Sequence, residues 1–471
     1  MRVSDLMVLG REALKFSIFL MILVLIIWGI GYKLIYKTAL HGKKSLSIKK
    51  VVPYGLLMVV ILVIVYVTLL RGIFGGRQLS LIPFASYKLA WYQFNPTEWR
   101  NIILNICMFI PFGFMLPIAN KKFKKAWKTY LAGFVFTLLI EVLQIILKRG
   151  IFETDDLMNN LLGTVIGYGF FSIASAIANK KFSKKIVFLQ IPLMVAILSF
   201  VIIFTSYYQK ELGNMIYEST SKHKMPTVSI SEEIELSSEE TISNIYKMKI
   251  ASLEETRQFA KKIFAIQGKT IDDRRTDIYD DTAVYYSNEN TLSLWIDYKG
   301  FTVWYKNYEL AYSQDGTQCN YLSGADEQIV RNAIEKIGFT IPKQVSYSTD
   351  NDGNYVFETN GKLIGERYCT GTVNCKLNEQ GEVVDMRYNI VTSEPYKQTS
   401  LISSREAYDL LCSGNFYYED SIPNDLPLTV TNKELVYFAD SKGFYQPMYR
   451  FILDNGSGKD IQIDIMARKM D

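Results

Sequence analysis

Two histidines and five cysteines in 471 residues leave little material for metal chemistry. His41 and His223 are the only imidazoles and fall in different regions, which excludes a histidine-rich zinc or iron site. The chain has no C-x-x-C pair, no Walker-type phosphate loop and no G-x-S-x-G nucleophile turn. It therefore implies no metal and no cofactor. Acidic residues are scarce in the first part: residues 1–206 hold 7 Asp/Glu against 24 Lys/Arg, net +17. Residues 207–471 hold 40 against 28, net −12. That split excludes a single soluble globule, and the length allows two or three domains. Because the basic charge sits in short loops between apolar segments, a nucleic-acid partner is also excluded.

The first part is dominated by long apolar runs. Six stretches are long enough to cross a hydrocarbon core, at about 16–36, 51–70, 102–119, 129–147, 157–179 and 186–208. The first lacks a small-residue cleavage site before a polar mature start, so it reads as a retained helix rather than a signal peptide. Lysines crowd the loops after the first, third and fifth stretches: Lys43 and Lys44, Lys121 to Lys128, and Lys180 to Lys185. The positive-inside rule puts these loops in the cytoplasm, and the 71–101 loop, the 148–156 loop and everything after 208 outside.

Polar residues within such segments are costly and carry the functional signal. Glu141 and Gln144 lie three apart on one helical face, with Arg149 two turns on. Asp156, Asn160, Gly163 and Gly167 form a second stripe, and Asn101 with Asn105 a third. On this topology all three converge near the outer leaflet, as a cleft facing a ligand. The structural alternative is close packing at Asn160, Gly163 and Gly167, with Glu141 paired to Arg149 or Arg77.

The ordered set resembles the VanZ-like membrane proteins. It begins with Arg77 and Pro83-Phe84, continues through Asn101, Asn105, Phe109, Pro111 and Gly113, and ends with Glu141, Gln144, Arg149, Asp156, Asn160, Gly163 and Gly167, covering about residues 77–170. That family is named for an accessory protein in glycopeptide (teicoplanin) resistance. The resemblance implies a place in the cell membrane and a polar cluster of Arg77, Asn101, Asn105, Glu141, Gln144, Arg149, Asp156 and Asn160, with no reaction attached. Pro111 would kink its span, and Gly113, Gly163 and Gly167 would let helices approach closely. An arginine such as Arg77 suits a phosphate or carboxylate, and equally an ordinary anchor at the membrane interface.

Beyond the spans, 207–249 reads as an acidic, serine-rich linker and 250–471 as a soluble α+β extracytoplasmic domain. Three helix starts show capping signals, Ser252 with Glu255, Ser323 with Asp326 and Ser403 with Glu406. Strands follow each, at 291–298, 301–305, 345–359 and 383–391, with turns at Asn360-Gly361 and Gln380-Gly381. If Cys369 and Cys375 sit on one extended strand, their even spacing puts them on one face about 20 Å apart and they do not pair; among Cys319, Cys369, Cys375 and Cys412 one or two bridges are allowed and none is required. The end of the chain faintly resembles extracytoplasmic regulatory domains of the YycH/YycI kind and PepSY modules.

The fold expected is thus an α-helical polytopic membrane domain of about six spans (1–206) followed by the α+β domain. Three functions fit. The first is a VanZ-like envelope protein that binds or shields a lipid-linked wall precursor or a glycopeptide. The second is an intramembrane enzyme on a lipid or lipid-linked phosphate, with Glu141 or Asp156 as base or metal ligand and arginines clamping the anion. The third is a non-catalytic regulator presenting the outer domain to an envelope protein. Membrane lipid is a partner in each.

Overall fold

The computed structural model describes residues 14–22, 48–70, 79–94, 96–219, 221–312, 317–419, 422, 426–456 and 460–469. They fall into two compact units, Met1–Glu211 and Leu212–Asp471.

The first unit is helical: α1 (Ile48–Val65), α2 (Ala85–Gln93), α3 (Pro96–Ala119), α4 (Ala126–Leu147), α5 (Thr154–Asn179) and α6 (Ile191–Gln209). Among the described residues, five helices, Val51–Leu69, Pro96–Ala119, Ala126–Leu147, Thr154–Asn179 and Lys184–Gln209, are long and apolar enough to cross a membrane. Each overlaps one expected stretch. The remaining one, 16–36, is helical to residue 22 and otherwise lies outside the described residues. At 1.5 Å per residue, α3 is about 36 Å long, enough for a hydrocarbon core of roughly 30 Å. Leu131, Leu139 and Leu198 stand more than half exposed on the outer faces. Helices that are apolar on the outside as well as the inside suit lipid rather than water.

Glycine sets how these helices meet. A Cβ on Gly163 would lie 2.0 Å from the Ile106 carbonyl oxygen, and one on Gly167 would lie 2.1 Å from that of Ile110. A Cβ on Gly113 would lie 2.1 Å from the Thr164 oxygen. Only hydrogen fits at these places, so the backbones of α3 and α5 touch. Because 106 faces 163 and 110 faces 167, the two helices run parallel. The connecting α4 runs back between their ends, with Gly133 against the Thr164 side chain. Pro111 and Pro117 lie inside α3, Pro111 on its exposed side. Each removes one helical donor.

The second unit is mostly sheet. Its main path runs Val228–Ile230, Leu428–Ala439, Phe444–Asp454, Ile242–Met248, Val391–Ser400, Arg367–Leu377, Val383–Tyr388, Val303–Asn307, Leu292–Asp297, Thr282–Tyr286 and Asp277–Ile278. Three amphipathic helices, α7 (Leu253–Ile266), α8 (Glu327–Lys336) and α9 (Ser404–Ser413), each precede a group of strands. Ala260 and Ile263 of α7 and Val330 and Ile334 of α8 enter one buried core, while Ala407 and Leu411 of α9 enter a second.

Several expectations need correction here. Residues 212–249 are not a linker. Ile242–Met248 is an interior strand between Phe444–Asp454 and Val391–Ser400. Its partners lie about 150–200 residues later, so no local pattern announces the pairing, and the acidic run before it hides its alternation. The unit boundary falls at Glu211, not 206. Helix α8 is capped by Asp326, whose carboxylate accepts from Ile329 N at 2.9 Å, rather than by Ser323. Asn360-Gly361 is a bulge within Tyr355–Ile364, where the register shifts between Thr359 and Lys362. The reversal follows at Gly365, with φ +64°. Cys369 and Cys375 are both buried and free on Arg367–Leu377.

The seam gives a direct test. Gly163→Ala forces a methyl against the Ile106 carbonyl and should destabilise the helical unit by about 1–3 kcal/mol, the usual cost of overpacking. Thermal unfolding of the full chain in detergent should show a lower midpoint for this variant than for wild type.

Candidate functional site

Since α3 and α5 are parallel and α4 antiparallel to both, the N-termini of α3 and α5 share one end with the C-terminus of α4. Acidic residues fill the first turns there, Glu98 in α3 and Asp155 and Asp156 in α5. A helix N-terminus favours negative charge. The same end carries a short parallel ladder, Leu79–Ser80 beside Phe152–Glu153. It ties the segment before α2 to the segment before α5.

The start of α5 presents two polar stripes, about 100° apart around the helix. Asp156 and Asn160 make the stripe read from the sequence. Asp156 Oδ1 accepts from Asn105 Nδ2 of α3 at 2.5 Å. Asn160, fully buried, donates through Nδ2 to Thr137 Oγ1 of α4 at 2.9 Å. The second stripe, Asp155 and Asn159, faces α2. Asp155 accepts from Phe84 N (2.5 Å), Ser86 N (2.8 Å) and Ser86 Oγ (2.5 Å). It thereby satisfies amides at the start of α2, which lacks a side-chain cap of its own. It also holds Phe84 at φ +63°, a left-handed conformation unusual for a residue with a Cβ. Asn159 Oδ1 accepts from Tyr87 Oη at 2.5 Å. Burial, and next the Asp155 charge, push the Tyr87 hydroxyl up to about 12, so it stays a donor.

Glu141 of α4 is 1% exposed and faces the Glu153 amide, 3.3 Å from its Oε2. The Gln144 carboxamide lies beside it. In one orientation Gln144 donates to Thr68 O at 3.3 Å; in the other it donates to both Glu141 oxygens, at 3.2 and 3.3 Å. The second orientation serves a buried carboxylate and is the better satisfied. Burial, followed by the charges of Asp155 and Glu98, pushes the Glu153 carboxyl above its ordinary value.

The structure thus brings together Asn105, Glu141, Gln144, Asp156 and Asn160. Asn101, one turn before Asn105, is exposed and makes no hydrogen bond to this group among the described residues. Arg149 is half-buried just past α4, its amide bonded to Gln144 O at 2.9 Å. Arg77 lies outside the described residues. Sequence reasoning missed Asp155, Asn159, Ser86, Tyr87 and Thr137. The repeated spacing of four in Asp155-x3-Asn159, parallel to Asp156-x3-Asn160, was the available signal. Chemically the cluster pairs carboxylate acceptors with carboxamides of Asn105, Asn160 and Gln144 that donate. Two buried atoms, Asn159 Nδ2 and Asn160 Oδ1, lack a partner among the described residues.

Residues 56–175 match the VanZ/LLP1 family. The curated Protein VanZ of Enterococcus faecium is 28% identical over 155 residues, which cover 32% of this chain and 92% of that protein. The resemblance read from the motifs therefore holds, and with the long apolar helices it makes this a membrane protein. Two solved structures are also similar. An uncharacterized protein from Eubacterium rectale has a TM-score of 0.26 at 11% identity, covering 52% of this chain and 89% of its own. The YpeB C-terminal domain of Bacillus megaterium has a TM-score of 0.21 at 12% identity, covering 47% and 95%. At such scores the topology of the second unit rests on its own strands.

Two outcomes test this geometry. Asp155→Ala removes a buried acceptor from amides at the start of α2 and should cost about 1–3 kcal/mol in thermal unfolding, with Asp155→Asn milder. Glu153, whose folded value is raised, holds its proton more tightly when folded than when unfolded. The stability it contributes is complete below the ordinary carboxylate value of about 4.3 and is lost as pH rises through the raised value. Glu153→Gln should flatten that part of the stability-against-pH curve.

Proposed function

We propose that this cluster is the outward-facing cleft of a six-span, VanZ-like envelope protein. It contributes to glycopeptide (teicoplanin) tolerance by binding or shielding a wall precursor or the antibiotic at the outer leaflet. The supporting observation is the convergence of Asn105, Glu141, Asp155, Asp156 and Asn160 at one end of the helical unit. The lysines of 121–128 lie at the opposite ends of α3 and α4. With the positive-inside rule, the acidic end faces out and the lysine end faces the cytoplasm. The stretch 16–36 then supplies the sixth span, and α6 delivers the second unit to the outside. Carboxylates that accept and carboxamides that both donate and accept suit the amines, amides and hydroxyls of a glycopeptide or wall peptide.

Cells producing wild-type protein should tolerate more teicoplanin than cells without it. Glu141→Ala and Asp156→Ala should lose this tolerance at equal membrane abundance, and exposed Asn101→Ala should keep it. Tolerance unchanged by all of these would remove the resistance role. Placement has its own check. In a variant keeping Cys412 as its sole cysteine, a membrane-impermeant maleimide should label intact cells, because Cys412 is exposed on α9. Labelling only after lysis would put the second unit inside.

A second reading, an enzyme on a lipid-linked phosphate, draws on the burial of Glu141 beside Gln144. It requires Glu141→Gln to abolish turnover while ligand binding survives.

A further inference from the structure

At the lysine end of α4 an open groove of about 450 Å³ is bounded by Phe123, Trp127, Leu131, Ala132, Phe136 and Leu139, with Lys128 at its mouth. The volume is within the range of ligand sites, about 300–1,000 Å³. Trp127, Leu131 and Leu139 are each more than half exposed, and Ala132 is the smallest side chain lining the hollow. From 127 to 139 the helix climbs about 18 Å. That is close to one leaflet of a hydrocarbon core roughly 30 Å thick.

The turn leading into α4 is strongly basic and held in place. Lys121, Lys122, Lys124 and Lys125 are exposed on that turn, next to the lining residue Phe123, and Lys128 Nζ sits 5.4 Å from the Trp127 ring centre. No Asp or Glu occurs in the sequence between Glu98 and Glu141. The turn carrying the lysines is pinned twice, by Thr129 Oγ1 donating to Phe123 O and by Tyr168 Oη donating to Lys124 O, both at 2.6 Å. A tryptophan flanked by lysines at a helix end is an interfacial arrangement. Here it opens onto an apolar hollow one leaflet deep.

We propose that this groove is a binding site for an anionic phospholipid, one acyl chain lying along α4 over Ala132 and the phosphate resting on Lys128 and the lysines of 121–125. Lysines near a membrane surface contribute about 1 kcal/mol each toward anionic lipid, or about fivefold in affinity per lysine. The hollow adds the register that makes the contact a site rather than a diffuse annulus.

The test uses the full chain in phosphatidylcholine vesicles, with dibrominated phosphatidylglycerol or dibrominated phosphatidylcholine added. The Trp127 signal is taken as the difference between wild type and Trp127→Phe. The brominated anionic lipid should quench Trp127 at a lower mole fraction than the zwitterionic one. Lys128→Gln should shift that midpoint about fivefold, and Ala132→Phe, which fills the hollow, should abolish the preference. Lys128→Gln alters a half-buried, solvent-side group and keeps the test informative even where Ala132→Phe folds poorly. Equal quenching by the two lipids overturns the proposal. So does a preference that survives Ala132→Phe in folded protein. No quenching by either lipid, the result expected if residues 23–47 of this chain cover the groove, overturns it as well.

Discussion

The closeness of α3 and α5 is the constraint on which the rest of the helical unit depends. Where Gly163 and Gly167 meet the carbonyls of Ile106 and Ile110, the two backbones approach to a distance that no side chain permits. In lipid, the gain from such contact comes from packing rather than from expelling water, so small residues decide where helices can meet. Once that depth is set, Asn105 comes level with Asp156 and the polar ends of three helices share one region. A slide of one turn, about 5.4 Å, would separate them.

On that seam the two acids at the start of α5 divide the work. Asp156 bonds sideways to α3, while Asp155 reaches the amides that begin α2. Asp155 is therefore structural in its geometry: it holds the exposed apolar segment Leu81, Ile82, Phe84 beside the cluster. Glu141 closes the third side against the Glu153 amide. Each carboxylate answers a backbone or amide donor, as buried polar groups generally do.

Charge sorts the unit lengthwise. Carboxylates gather at the end where two helix N-termini meet, beside Lys148 and Arg149, and the lysine cluster of 121–128 lies at the other. The helix dipoles of α3 and α5 favour the same distribution. In the second unit the organisation differs. Three helices, each followed by strands, lay two separate cores on one continuous sheet.

Periodicity and composition alone determined much. Five long apolar helices, the charge reversal between the halves, the capped starts at Ser252 and Ser403, and the glycine stripe at 163 and 167 were legible because each is a local property of a short stretch. Pairing was not. Asp155 and Asp156 are neighbours of the same type, and only the positions of α2 and α3 decide which helix each one serves. Ile242–Met248 looked like the end of a linker because its partner strands lie far along the chain. Gly361 looked like a turn because a bulge and a reversal make the same demand for positive φ. Local sequence records what a residue can adopt and which face it shares; contact between distant segments is settled only when backbones dock, since that is where hydrogen-bond partners are assigned.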